Sequence, residues 1–319
     1  MNDAALLISL LAVTIRAGTS LLYATLGEIF TERSGVLNLG LEGMLLLSAV
    51  SGFAVAFHSK SVGLGLVAAI AVGGLLGFLH ALLTISLRSN QTVTGLALTI
   101  FASGLASFLG QRLGPQGLPL VGQIGPRFER VALPVLGNLP LIGRALFQQD
   151  VLVYATYLLV PAAWFFLYRT RPGLYLRAVG ENPRTADAMG LHVSRIRYFY
   201  TILGGMLVGL GGAHLSLAYM PGWTENLTGG RGWIAVAMVI FATWDPWRAW
   251  FGAILFGGIN AVQLRMQAAG TTIPSAFLHM LPFAFTIVIL VIITWWEAFG
   301  KRVGAPAALG VPYAREEQG

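Results

Sequence analysis

The chain has 319 residues, of which 56% are hydrophobic and only 10% charged, whereas a soluble domain carries roughly a quarter charged residues. A soluble globular protein is therefore excluded, and because the net charge of +7 falls on no soluble basic stripe, so is nucleic-acid binding. With no cysteine, disulfides, thiolate ligands and thiol redox chemistry are excluded as well.

The N-terminus, Met-Asn-Asp-Ala-Ala-Leu-Leu-Ile, has no basic n-region and no small-residue cleavage site, so it reads as the start of a retained span rather than a signal peptide. Apolar stretches approaching the ~20 residues needed to cross a bilayer fall near 4–27, 36–57, 62–87, 92–111, 151–168, 198–219, 233–250, 251–269 and 276–296. The expected fold is an all-α polytopic transmembrane helical bundle of about nine spans over 1–296. Glycines spread among the apolar runs suit helices packed closely in lipid. Arg16 lies within the first run. An arginine there is costly in hydrocarbon, so it should face protein or water, or snorkel.

Gly35-Val-Leu-Asn-Leu-Gly-Leu-Glu-Gly43 is a glycine-broken, polar entry into the second run. Residues 112–150 are punctuated by Pro115, Pro119, Pro126, Pro134 and Pro140, a density that forbids a continuous helix. This segment reads either as a lip for an extracytoplasmic partner or as a connector with Ile142–Phe147 on the membrane surface. The interval 169–197 carries Arg169, Arg171, Arg177, Arg184, Arg195 and Arg197 against Glu181 and Asp187. The positive-inside rule places it in the cytoplasm, which puts the N-terminus outside and the C-terminus inside. Within it, Gly180–Gly190 reads as a short helix with Asn182 as N-cap, Pro183 in the first helical position and Gly190 as the stop. It is either a docking helix or a solvated loop.

A second broken entry, Trp223-Thr-Glu-Asn-Leu-Thr-Gly-Gly-Arg-Gly-Trp233, should open a span at the outer face. Transporters built from inverted repeats place interrupted helices at matching positions near the binding site. Asn38, Glu42, Trp223, Asn226 and Trp233 are accordingly the candidates for a translocation path, supported by Thr228 and Phe241. Asn38 and Glu42 would alternatively only satisfy broken backbone. Residues 297–319 are polar, contain Pro306 and Pro312, and read as a disordered cytoplasmic tail. No G-x-x-x-x-G-K-[ST] and no H-E-x-x-H motif occurs, and His58, His80, His192, His214 and His279 are scattered, so neither a catalytic set nor a metal site is expected.

Leu176-Arg-Ala-Val-Gly-Glu-Asn-Pro-x-x-Ala-Asp-Ala-x-Gly190 resembles the coupling segment of ABC importer permeases. More narrowly, it is similar to the simple-sugar and nucleoside branch, related to the branched-chain amino acid permeases. The likeness extends over most of 20–295, including Glu32-Arg-Ser-Gly-Val-Leu-Asn-Leu-Gly-Leu-Glu-Gly43. It implies that Arg177, Gly180, Glu181, Asn182, Pro183, Ala186 and Gly190 couple the chain to an ATP-binding subunit, which would hold ATP and Mg, leaving this chain without a cofactor. It also implies a second, longer permease subunit in a heterodimer, an extracytoplasmic solute-binding protein and residence in the cytoplasmic membrane. The expected solutes rank as nucleosides, then pentoses and simple sugars, then branched-chain amino acids. An ion-coupled secondary transporter is the rival class, and it would want more buried acids than this chain offers.

Overall fold

The computed structural model describes residues 3–134, 136–139, 142–271, 273–298 and 304–314. Twelve helices occupy most of them: α1 (Asp3–Arg33), α2 (Leu41–Ser59), α3 (Val62–Ala81), α4 (Gln91–Arg112), α5 (Ile142–Leu146), α6 (Val151–Arg169), α7 (Arg171–Glu181), α8 (Pro183–Ala188), α9 (Val193–His214), α10 (Arg231–Phe241), α11 (Pro246–Ala268) and α12 (Ser275–Ala298). α3 and α9 each run on into a π-helical turn, Leu82–Ser86 and Leu215–Tyr219.

Local chemistry sets several of these starts. Asn90 accepts the Val93 N–H at 3.0 Å to cap α4. Asp150 accepts those of Leu152 and Val153 at 3.1 Å to cap α6, and Asp245 does the same for α11 ahead of Pro246. Each cap satisfies N–H groups that have no partner within the helix. α1, α3 and α9 pack side by side at the centre through glycine. A Cβ added at Gly73 would lie 2.2 Å from the Gly205 carbonyl oxygen, and one at Gly27 would lie 2.5 Å from that of Gly204, so only glycine permits these crossings.

Six helices among the described residues are long and apolar enough to span: Leu7–Arg33, Leu41–Ser59, Val62–Ser86, Gln91–Arg112, Val151–Arg169 and Val193–Tyr219. These six account for part of the expected count of about nine. The run at 233–250 breaks where Thr243 and Trp244 take positive φ (50° and 57°), leaving α10 with 11 residues. At 1.5 Å per residue that is about 16 Å, half of a hydrocarbon core. α11 has 23 residues but includes Asn260, Gln263, Arg265 and Gln267.

The proline-rich 112–150 segment forms no continuous helix. Its described residues hold two short turns, α5, and a two-stranded ladder pairing Val131 with Gln149 and Ala132 with Gln148. The tail departs furthest from expectation. Residues 304–314, read as disordered, are hydrogen-bonded to the rest of the chain: the Ala308 N–H donates to Gly180 O at 2.9 Å and that of Gly310 to Gly35 O at 3.2 Å. Lys301, Arg302, Arg315, Glu316 and Glu317 lie outside the described residues.

Candidate functional site: two interrupted helices meeting at a cavity

After Arg33 the chain turns at Gly35 (φ +87°) and doubles back along α1. The Asn38 N–H donates to Glu28 Oε1 at 2.9 Å, and the Asn38 side-chain oxygen accepts the Gly40 N–H at 2.8 Å. Residue 28 is about 7 Å up the helix from Arg33, so α2 starts inside the bundle rather than at its edge. α10 starts against it. Glu42 accepts the Thr228 hydroxyl at 2.6 Å and the Gly230 N–H at 2.9 Å on Oε1, and the Gly232 N–H at 2.6 Å on Oε2.

A carboxylate is well placed there, because the first N–H groups of a helix lack internal partners and its dipole favours negative charge. The backbones touch as well: a Cβ on Gly232 would lie 2.3 Å from the Glu42 nitrogen. At its other end α10 comes down beside the end of α1, where the Trp244 indole N–H donates to Glu32 Oε2 at 2.6 Å. The second broken entry therefore runs from Trp223, beside Gly110 near the end of α4, to the Glu42 carboxyl group within the bundle.

The two starts form the wall of a cavity of about 850 Å³. Its polar lining includes Glu42, Thr99, Ser103, Asn226, Thr228 and Asn260, and its aromatic lining Tyr219, Trp233, Phe256 and Phe283. Arg231 and Gln263 complete the polar set. Arg231 is committed, donating to Ala17 O at 2.9 Å with its guanidinium 5.3 Å from the Tyr219 ring. The cavity thus offers flat aromatic faces and mostly neutral hydrogen-bonding groups, which suits an uncharged ring bearing hydroxyls.

Of the path candidates, Glu42, Asn226 and Trp233 line this cavity and Asn38 and Trp223 do not. Asn38 is 1% exposed and holds its own turn, as its alternative reading had it. Trp223, also 1% exposed, lies against Gly110, where a Cβ would fall 2.1 Å from Nε1. Phe241 lies over Gly252. Sequence reasoning missed Asn260 and Gln263, although two amides three residues apart on one face of an apolar helix were a legible signal. Arg16 lies to one side: it donates to Ala218 O at 2.7 Å and sits 3.7 Å from Asp150 Oδ2. Ala218 lies in the last turn before the helix ends at Tyr219, where carbonyls lack an intrahelical partner.

At the far end of α1 the arginine-rich interval folds as α7 and α8. Asn182 caps α8 by accepting the Thr185 N–H at 3.0 Å, Pro183 leads it, and Gly190 takes φ +84°. Gly180 and Ala186 face inward. A Cβ on Gly180 would lie 2.2 Å from Arg33 O, and Ala186, 4% exposed, packs with Val179 and Val193. Arg177 stacks 5.3 Å over Tyr168 and Glu181 accepts the Ala307 N–H at 2.8 Å. Both Gly180 and Ala186 are therefore buried within this chain. The outward surface is made by Arg184, Thr185, Ala188, Gly190 and Met189, the last 80% exposed.

A helical bundle with an internal cavity at interrupted helix starts defines a membrane transport protein. A family model described as "Branched-chain amino acid transport system / permease component" matches residues 9–293, and the chain belongs to that family. It is 45% identical over 263 residues to TsgC13 of Haloferax volcanii, a permease assigned provisionally to glucose ABC transport, covering 81% of this chain and 78% of the relative. It is 35% identical to the nucleoside ABC transporter permease protein NupC of Lactococcus lactis, covering 94% of each chain, and 32% identical to the guanosine ABC transporter permease protein NupQ of Bacillus subtilis, covering 99% of each. No solved structure matches the chain.

Proposed function

We propose that the chain is the membrane subunit of an ATP-driven importer that moves nucleosides inward across the cytoplasmic membrane through the cavity at Glu42. The observation that carries this reading is the cavity itself, which is lined by the aromatic side chains of Trp233, Phe256 and Phe283 beside the neutral groups of Asn226, Asn260 and Ser103. A nucleobase stacks on such rings for about 1–3 kcal/mol per base, while ribose hydroxyls bond to the amides. Nucleoside permeases among the relatives over nearly the full chain support the same solute.

ATP and Mg are bound by separate ATP-binding subunits, which dock on the α7–α8 segment in the cytoplasm. The N-terminus is then outside and the C-terminus inside, and 112–150 receives a solute-binding protein. A second permease subunit closes the open side of the cavity, and the remaining apolar runs, among them α11 and α12, complete the passage through the bilayer. The second reading is a simple sugar, favoured by the 45% identity to a relative assigned to glucose; hydroxyl recognition would serve it equally, ring stacking less. Uptake of labelled adenosine, uridine, glucose, ribose and leucine by cells expressing the full gene cluster, with and without this subunit, separates the solutes. Loss of adenosine and uridine uptake is expected; loss of glucose uptake with both nucleosides untouched would overturn the ranking.

A further inference from the structure

We propose that residues 304–314 form a transmission strap, a positioning element that clamps the α7–α8 segment to the turn leading into Glu42; this rests on reading α7–α8 as the dock for the ATP-binding subunit. The strap touches both sides of that joint. On the segment, the Ala307 N–H donates to Glu181 Oε2 at 2.8 Å and that of Ala308 to Gly180 O at 2.9 Å. On the turn, Gly310 N–H donates to Gly35 O at 3.2 Å, and Gly304 O accepts from Arg33 at 3.2 Å. Arg197 of α9 closes the knot, donating through Nε to Ser34 O and through Nη1 to Val311 O, both at 3.1 Å.

The Arg197 side chain is buried, and both of those acceptors are backbone carbonyls. Burying a guanidinium is costly unless its hydrogen bonds are made; Nη2 already has no acceptor among the described residues, so the Nε and Nη1 bonds matter the more, and both last only while turn and strap keep their present spacing. The turn carries Asn38 and then Glu42 within eight residues of Ser34, and Glu42 holds the start of α10. Movement of the segment is therefore passed through strap and turn to the cavity wall, along packed and hydrogen-bonded groups.

The test uses the reconstituted importer with both permeases, ATP-binding subunits and binding protein. Two variants are compared with wild type, a chain ending at residue 303 and a chain with 304–314 replaced by glycine and serine at equal length. Transport per ATP hydrolysed should fall about tenfold, within the roughly 5–150-fold range of coupling between sites, while hydrolysis and assembly persist. Unchanged transport per ATP in both variants would overturn the strap. So would loss of assembly in both, which would make 304–314 a folding element only. Met189→Asp, on the outward face of α8, tests the underlying reading separately: the ATP-binding subunit should detach. Normal assembly and transport by Met189→Asp would sink the docking reading while the two tail variants still judge the strap.

Discussion

The two interrupted helix starts look alike in sequence, each rich in glycine with an asparagine and an acid, but they are held very differently. The 34–40 turn is tied to three neighbours: Leu37 N–H donates to Gln91 Oε1 at 2.7 Å, the Leu37 carbonyl meets His80 Nε2 at 3.0 Å, Leu39 O accepts from Thr99 at 3.0 Å, and Asn38 N–H reaches Glu28. The start of α10 has no side-chain cap of its own, since Gly230 sits at its N-cap with φ +83°; its Gly230 and Gly232 N–H groups both bond to the one carboxyl group of Glu42, and the Arg231 guanidinium adds a tie to Ala17 O. A start held from α1, α3 and α4 is a fixed wall, whereas one that hangs on the Glu42 carboxyl group and the Arg231 tie to α1 is the part that can release. α10 is thus the movable side of the cavity and α2 the fixed side.

The largest expected effect comes from removing the Glu42 tie. Glu42→Ala leaves the Thr228 hydroxyl and the Gly230 and Gly232 N–H groups without their acceptor, at a cost of about 1–3 kcal/mol for each buried donor left unsatisfied. Denaturant titration in detergent measures it, and uptake should vanish; Glu42→Gln, which keeps one acceptor oxygen, should fall between. Full stability in Glu42→Ala would mean that α10 does not hang on this residue. Next, Ala186→Trp overfills the contact with Val179 and Val193 and should cost about 1–3 kcal/mol in the isolated chain. An effect seen only when the ATP-binding subunit is present would place Ala186 outward instead.

Two tryptophans sharpen the comparison further. Trp233, 39% exposed, lines the movable side, while Trp223 is buried against Gly110 of α4. Trp233→Ala should raise the half-saturating solute concentration of uptake about tenfold, equivalent to about 1.4 kcal/mol of lost stacking. Trp223→Phe should leave uptake unchanged and cost about 1 kcal/mol or less, because its indole N–H meets no acceptor among the described residues. Reversed effects at the two positions would exchange wall and path.

Features closed within a few residues were legible in the sequence. Asn182, Pro183 and Gly190 delimit α8 because capping joins groups three or four positions apart. What escaped was long-range. Glu42 reads as a lone acid in an apolar run, and nothing local says that it meets Gly232, 190 positions away. The tail reads as disordered because its composition is polar, yet backbone N–H groups, which every non-proline residue carries, tie it to Gly180 and Gly35. Ala186 was read as surface because small residues suit a shallow dock, and the same smallness suits a tight internal contact.

The central claim, that solute passes between the fixed and movable helix starts, is tested most directly at Asn260, which lines the cavity from α11, outside both turns, in a chain with no native cysteine. In the assembled importer carrying Asn260→Cys, maleimide labelling is followed with and without adenosine. The account predicts that saturating adenosine slows labelling of this cysteine and leaves that of a control cysteine at the exposed Ser194 unchanged. Equal labelling of Asn260→Cys with and without adenosine, in an importer that still transports adenosine, would contradict it.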